Sequence, residues 1–220
     1  MSAITANPNS KPIFDYANLP TLTNKFGDKF IVQYAVANDL VEILAIYNRS
    51  IAGKQATANL EPVTYEERAA WFAEHLDSAT RPIYVVRMAL ETAGKSAEQI
   101  QLYPIVAWGS FSDLYARPAY HISSEISVYI HNDYHGQGLG SLLVRWMLQQ
   151  APSLGIHNVA ALIFAHNQPS LGLFRKLGFA QWGLMPQVCD MDGFIADVVM
   201  LGKSISIIDN NNNDNDNDND

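Results

Sequence analysis

Between residues 124 and 147 the chain passes from alternating to helical periodicity through three closely spaced glycines, and few folds accommodate that change. In Ser124 to His131, the apolar residues Ile126, Val128 and Ile130 alternate with Glu125, Ser127, Tyr129 and His131, the period of a strand with one polar face. The run Tyr134-His135-Gly136-Gln137-Gly138-Leu139-Gly140-Ser141 then leads into Leu139, Leu142, Leu143, Trp146 and Met147, an apolar face at helical spacing. Glycines directly before a helix let backbone N–H groups converge on an anion, because no Cβ blocks the approach and the helix N-terminus carries partial positive charge. The segment therefore predicts a strand, a phosphate-gripping turn and a helix; the plainer alternative is a tight turn whose glycines only permit close packing. The spacing is G-x-G-x-G, not the G-x-G-x-x-G of a dinucleotide fold. None of the pairs Gly53-Lys54, Gly94-Lys95 and Gly202-Lys203 follows the earlier glycine that a P-loop requires.

The flanking periodicities supply the rest of the sheet. Ile31 to Val36 reads as a strand, and Leu40, Ile43, Leu44, Tyr47 and Ile51 form a helical stripe, with Asp39 and Glu42 in the pattern of a capping box. Thr64 and Glu67 mark a second helix start, and Tyr65, Ala69, Phe72 and Leu76 form its core face. Ile83 to Ala89 and Pro104 to Phe111 are two strands predicted to pair antiparallel across a polar connection, Glu91 to Gln101. Asn158 to Ala165 is a strand of buried type. Asn167-Gln168-Pro169-Ser170 begins a short helix that ends at Gly178, and a last strand pair spans Gln181 to Leu201. This order predicts an α/β sheet of mixed direction with helices on its faces.

A chain of 220 residues, 48% hydrophobic and 16% charged, has room for one sizeable core. Its formal charge is −8, yet Asp209 to Asp220 hold five Asp and seven Asn, which leaves −3 on the first 208 residues. That balance argues against nucleic acid as a partner. The single cysteine, Cys189, excludes an intrachain disulfide and a multi-thiolate zinc site and fits a cytoplasmic protein. His131 and His135 have no acidic cluster to complete a metal site. No apolar run reaches the ~20 residues of a spanning helix, so no membrane role is expected. Residues 1–30 read as a partly ordered leader, 31–203 as one domain, and 204–220 as an Asn/Asp-rich tail with too little apolar surface to order itself.

The stretch from Glu125 to Leu143 resembles motif A of the Gcn5-related N-acetyltransferases (GNAT), and Asn167 to Phe179 resembles motif B. Ile46-Tyr47-Asn48, Trp71, Arg117-Pro118-Ala119-Tyr120, Asn167-x-Pro169-Ser170, and Gly193 with Asp197-Val198 are similar to the phosphinothricin acetyltransferase group. The resemblance covers residues 31–203. It implies a mixed, mostly antiparallel twisted sheet with flanking helices and a V-shaped splay between the two central strands. It implies acetyl-CoA as co-substrate, no metal, and a homodimer. The backbone of Val128, Tyr129 and Ile130 would bind the pantetheine arm. His135, Gly136, Gln137, Gly138, Leu139, Gly140 and Ser141 would wrap the pyrophosphate, and Asn167 and Ser170 would face the cofactor.

Direct transfer needs a base, since an ammonium has no lone pair, and Glu125 on the polar strand face is the candidate. A solvated or ion-paired Glu125 is the plainer alternative. By the resemblance, Arg117 and Tyr120 would join Glu125 in binding an amino-acid-like substrate, the guanidinium meeting a carboxylate; a surface role for Arg117 remains open. Two positions depart from the family: His135 replaces the usual Gln or Arg, and Phe174 stands where relatives carry a Tyr or His acid. The expected activity is acetylation of the α-amine of phosphinothricin, methionine sulfone or methionine sulfoximine. Alternatives are another amine, such as a protein N-terminus or a polyamine, or a non-catalytic acyl-CoA sensor.

Overall fold

The computed structural model describes residues 19–89 and 95–205. The expectations for the first eighteen residues, for the start of the polar connection and for most of the acidic tail lie outside them. Among the described residues, eight strands form one sheet in the order β1-β2-β3-β4-β5-β6-β8-β7. They are β1 (Thr21–Thr23), β2 (Lys29–Tyr34), β3 (Ile83–Met88), β4 (Ile105–Asp113), β5 (Ser123–Ile130), β6 (Asn158–Phe164), β7 (Ala180–Asp190) and β8 (Ile195–Ser204). Every neighbouring pair is antiparallel except β5 and β6. The helices are α1 (Leu40–Ile51), α2 (Tyr65–Asp77), α3 (Ala97–Gln101), α4 (Leu139–Gln150) and α5 (Gln168–Lys176). None of the described helices is long and apolar enough to cross a membrane.

Helices cover both faces of the sheet, so its inner strands are apolar on both sides. In β3, Ile83 and Val85 pack with Ile43, Tyr47 and Phe72 of α1 and α2, while Tyr84 and Val86 pack with Leu143 and Met147 of α4. The helix starts follow local chemistry. At α2 the Thr64 hydroxyl accepts from Glu67 N–H and the Glu67 carboxylate accepts from Thr64 N–H, the expected capping box. At α5 the Asn167 carboxamide oxygen accepts from Ser170 N–H, and Gly178 ends the helix at φ +85°.

Four expectations are corrected. Asp39 and Glu42 form no capping box: Asp39 accepts from Val36 N–H and meets the buried Arg87 guanidinium, while Glu42 accepts from Ile105 N–H on β4 at 2.8 Å. Both carboxylates are drawn away by partners remote in sequence. Tyr65 is exposed and not on the core face of α2, whose buried residues are Phe72 and His75. The polar connection before β4 carries a short helix, α3, capped by Ser96. The sheet also begins inside the segment read as leader, because β1 pairs with β2 and Phe30 is fully buried.

One feature of the sheet sets up the site. β5 pairs with β4 along seven positions, from Ser124 to Ile130, yet with β6 only at Ser123, Ser124 and Glu125. Past the Glu125–Ala160 rung the two parallel strands diverge, which is the V-shaped splay the resemblance implied.

Candidate active site

The fork between β5 and β6 opens into a cleft of about 430 Å³. Glu125 to Tyr129 line one side and Ala161 to Phe164 the other. The loop after α1, Gln55 to Ala58, closes one end, and Met185, Val188 and Cys189 of β7 stand beside Phe174. Glu125 lies on the last shared rung, at the vertex. Burial there raises its carboxyl above the ordinary 4.5, since desolvation disfavours the charged form. Across the antiparallel pair it neighbours Ser112, whose hydroxyl meets His75 Nε2 at 3.1 Å. His75 Nδ1 donates to the Trp71 carbonyl, which leaves Nε2 to accept from Ser112.

On the same face, Tyr129 stacks on Trp108 at 4.5 Å and packs against Tyr47 at 5.0 Å. Burial holds its phenol well above its usual range. Tyr129 is therefore a neutral wall of the site.

At the far end of β5 the glycine turn has two functions, not one. Gly136 and Gly138 adopt φ of +70° and +87°, and no atom lies within 4 Å of where a Cβ would sit. They supply left-handed backbone beside open space, and Gly138 is the N-cap of α4. Gly140 differs, because a Cβ there would come within 3.1 Å of Leu173 Cδ1; its absence lets α4 and α5 approach. The first-turn amides of a helix have no acceptor within it, so the turn that follows β5 is a cradle with donors for an anion. The neighbouring side chains hold the turn's shape: His135 Nε2 donates to Ile130 O, and Gln137 bridges Asp133 O and Asn24 Nδ2. Leu139 is buried in the core and Ser141 partly buried, so both offer the cradle chiefly backbone.

Glu125, Val128, Tyr129, Asn167 and Ser170 are thus brought together in the cleft. Ile130 is packed against the core instead of lining it. Asn167 is committed on both sides of its carboxamide, to Ser170 N–H and, through Nδ2, to Gln55 O. Arg117 and Tyr120 are not brought in. Arg117 caps and Tyr120 ends a 3-10 turn between β4 and β5, both exposed, with Tyr120 packed edge-on against Tyr115. His131 contacts Arg49, and no group that could hold a metal occurs among the described residues.

The residues that sequence reasoning missed are those of the loop after α1. Thr57 is 8% exposed and faces the cleft, and its hydroxyl is 2.5 Å from Tyr47 Oη. Only the Tyr47-Asn48 pair hinted at it: Asn48 bonds both backbone groups of Val63 and so fixes the other end of the same connection.

The family model for the acetyltransferase (GNAT) family matches residues 43–179, a span that includes the glycine turn, the fork and α5. The chain belongs to the GNAT family. This acetyltransferase is 43% identical over 175 residues to YwnH of Bacillus subtilis (strain 168), whose name groups it with the phosphinothricin acetyltransferases; the match covers 80% of this chain and 99% of YwnH. It is 33% identical over 163 residues to the L-methionine sulfoximine/L-methionine sulfone acetyltransferase of Pseudomonas aeruginosa, covering 74% of this chain and 87% of that one. Among solved structures, yncA of Salmonella typhimurium with its cofactor acetyl-CoA superposes at a TM-score of 0.69 and 25% identity, covering 80% of the acetyltransferase and 94% of yncA.

Proposed function

We propose that this acetyltransferase moves the acetyl group of acetyl-CoA directly to the α-amine of a small amino-acid analogue, of the phosphinothricin, methionine sulfone or methionine sulfoximine type. The observation that carries the reading is Glu125, desolvated at the vertex of a strand fork whose other end is a glycine cradle. The cradle amides of Gly136 to Ser141 take the pyrophosphate, and the backbone of Val128 to Ile130, unpaired on its β6 side, takes the pantetheine amides. His135 serves here by shaping the turn, and Asn167 and Ser170 by capping α5 against the cleft.

The substrate ammonium gives its proton to Glu125, directly or through one water. The freed nitrogen attacks the thioester carbonyl; the C–N bond forms, the nitrogen gives its second proton to solvent, the C–S bond breaks, and coenzyme A leaves as thiolate. Phe174 has no proton to give, so the thiolate is protonated from solvent. Because burial raises the Glu125 carboxyl, it is a stronger base than an exposed carboxylate once ionised. The chemistry of the relatives supports the acceptor class, and the homodimer that the resemblance implies is checked by sedimentation of the purified chain.

The deciding experiment is free-thiol release from acetyl-CoA with methionine sulfone, methionine sulfoximine, phosphinothricin, spermidine and a peptide N-terminus as acceptors. Activity confined to the three amino-acid analogues, and lowered about 100-fold or more in Glu125→Gln, is expected. Equal activity with spermidine would sink the acceptor assignment, and an active Glu125→Gln would sink the base.

A further inference from the structure

Two stretches that line the cleft, the loop after α1 and the end of β7, are tied together by a side chain that lines neither. Lys54 follows α1 in the left-handed region, at φ +49°, and sends its ammonium to the turn between β7 and β8. There it donates to the carbonyls of Met191 at 2.8 Å and Asp192 at 2.6 Å. The Asp192 carboxylate is 3.8 Å away and 86% exposed, so the ion pair adds little and the two main-chain carbonyls fix the position. The Lys54 carbonyl accepts from His166 Nε2 at 2.7 Å, and that of Gln55 from Asn167 Nδ2 at 3.0 Å. Two consecutive residues thereby join the loop after α1 to the β7–β8 turn and to the start of α5.

The other end of the loop is closed by a fully engaged network. Tyr47 Oη is 2.5 Å from Asn59 Oδ1, which can only accept, so the single phenolic hydrogen goes there. The Thr57 hydroxyl must then donate to Tyr47 Oη, and it accepts in turn from Asn59 N–H at 3.2 Å. No member is left to carry a proton, and the network holds the loop's shape. Between network and brace, Gln55, Ala56 and Ala58 line the cleft beside Thr57, and Val188 and Cys189 line it just ahead of the braced turn. The separation at which the brace holds these two stretches fixes the width of the part of the cleft they line.

We propose that Lys54 is a positioning residue that sets the width of the acceptor mouth, and with it the size of side chain an amino-acid acceptor can carry. This inference rests on the amino-acid reading of the acceptor given above. Removing the ammonium releases the loop from the β7–β8 turn and widens the mouth, while the glycine cradle is untouched. Arginine is long enough, and has donors enough, to keep both carbonyls.

The full-length protein, Lys54→Met and Lys54→Arg are compared with methionine sulfone and phenylalanine as acceptors, and by amide hydrogen exchange across the loop after α1. Lys54→Met is expected to raise the phenylalanine-to-methionine-sulfone ratio of kcat/KM about fivefold or more, with KM for acetyl-CoA within about twofold of wild type. Exchange in the loop quickens about tenfold, and Lys54→Arg restores both ratio and exchange. A Lys54→Met that slows both acceptors in proportion has a merely structural defect and overturns the proposal, as does an unchanged ratio. Should the wild type acetylate no amino acid, the substrate reading falls and the selectivity role with it, whereas unchanged exchange with an active wild type removes the brace alone.

Discussion

An alanine at Gly138 would have to hold φ near +87° with nothing nearby to clash against, so its cost is backbone strain of about 1–2 kcal/mol. Relief of that strain tilts the cradle amides, and Gly138→Ala should raise KM for acetyl-CoA in steady-state assays while kcat changes less. Gly140→Ala instead pushes on a flexible Leu173 methyl, and should lower the melting temperature more than it changes acetyl-CoA affinity. Glu125 gives a test in two directions. As a base it must be ionised, so kcat/KM rises with pH along a limb displaced above 4.5, and Glu125→Gln lacks that limb. Stability runs the other way: the folded pKa exceeds the unfolded one, so ionisation favours the unfolded chain as pH climbs past the unfolded value. Calorimetry should find Glu125→Gln more stable than wild type near pH 7, with the difference vanishing below about pH 4. A merely solvated Glu125 would show neither effect. The polar face of β5 made this residue legible. Arg117 and Tyr120 were legible only as a motif, and the distance between a motif and a cleft is set by loop geometry that residue type does not encode.

At the scale of elements, α2 depends on its first turn. Thr64→Ala removes the reciprocal Thr64–Glu67 bonds and should cost about 1 kcal/mol in denaturant melts. The connection from α1 to β3 is costlier to disturb, because Asp39 and Arg87 form a buried ion pair. Asp39→Ala leaves a buried guanidinium uncompensated and should cost about 3–5 kcal/mol by the same measurement. The two carboxylates at the head of α1 show where sequence reading stops. Asp39 and Glu42 have the spacing of a cap, but their partners are Arg87 on β3 and Ile105 on β4. Thr64 and Glu67 have the same spacing and do form the cap, since no remote group competes. Local patterns were right where bonds close locally. The Lys54 brace and the Tyr47–Thr57–Asn59 network, which join separate parts of the fold, left no periodic trace.

Across the whole molecule, the sheet was readable because its strands and helices differ in period, and the glycine turn located the fork's far end. The extent of the β5–β6 contact was not readable, since register between parallel strands is fixed by the elements packed on them. That contact of three rungs carries its own prediction. At about 100 times its dissociation constant, acetyl-CoA should stabilise the protein by about 2.7 kcal/mol, with new exchange protection at alternate amides from Ile126 to Ile130. Exposed strand edges are where proteins recruit each other's chains into unwanted sheets, and most folds blunt them at the rim. Here a stretch of unsatisfied strand lies indoors, in a slot roofed by α4 on one face and by α1 on the other. A polypeptide brings side chains on both faces and does not fit such a slot; a slender chain bearing two amides does. The sheet is in that sense built one strand short, and on the proposed function the piece that completes it arrives with each turnover and leaves again.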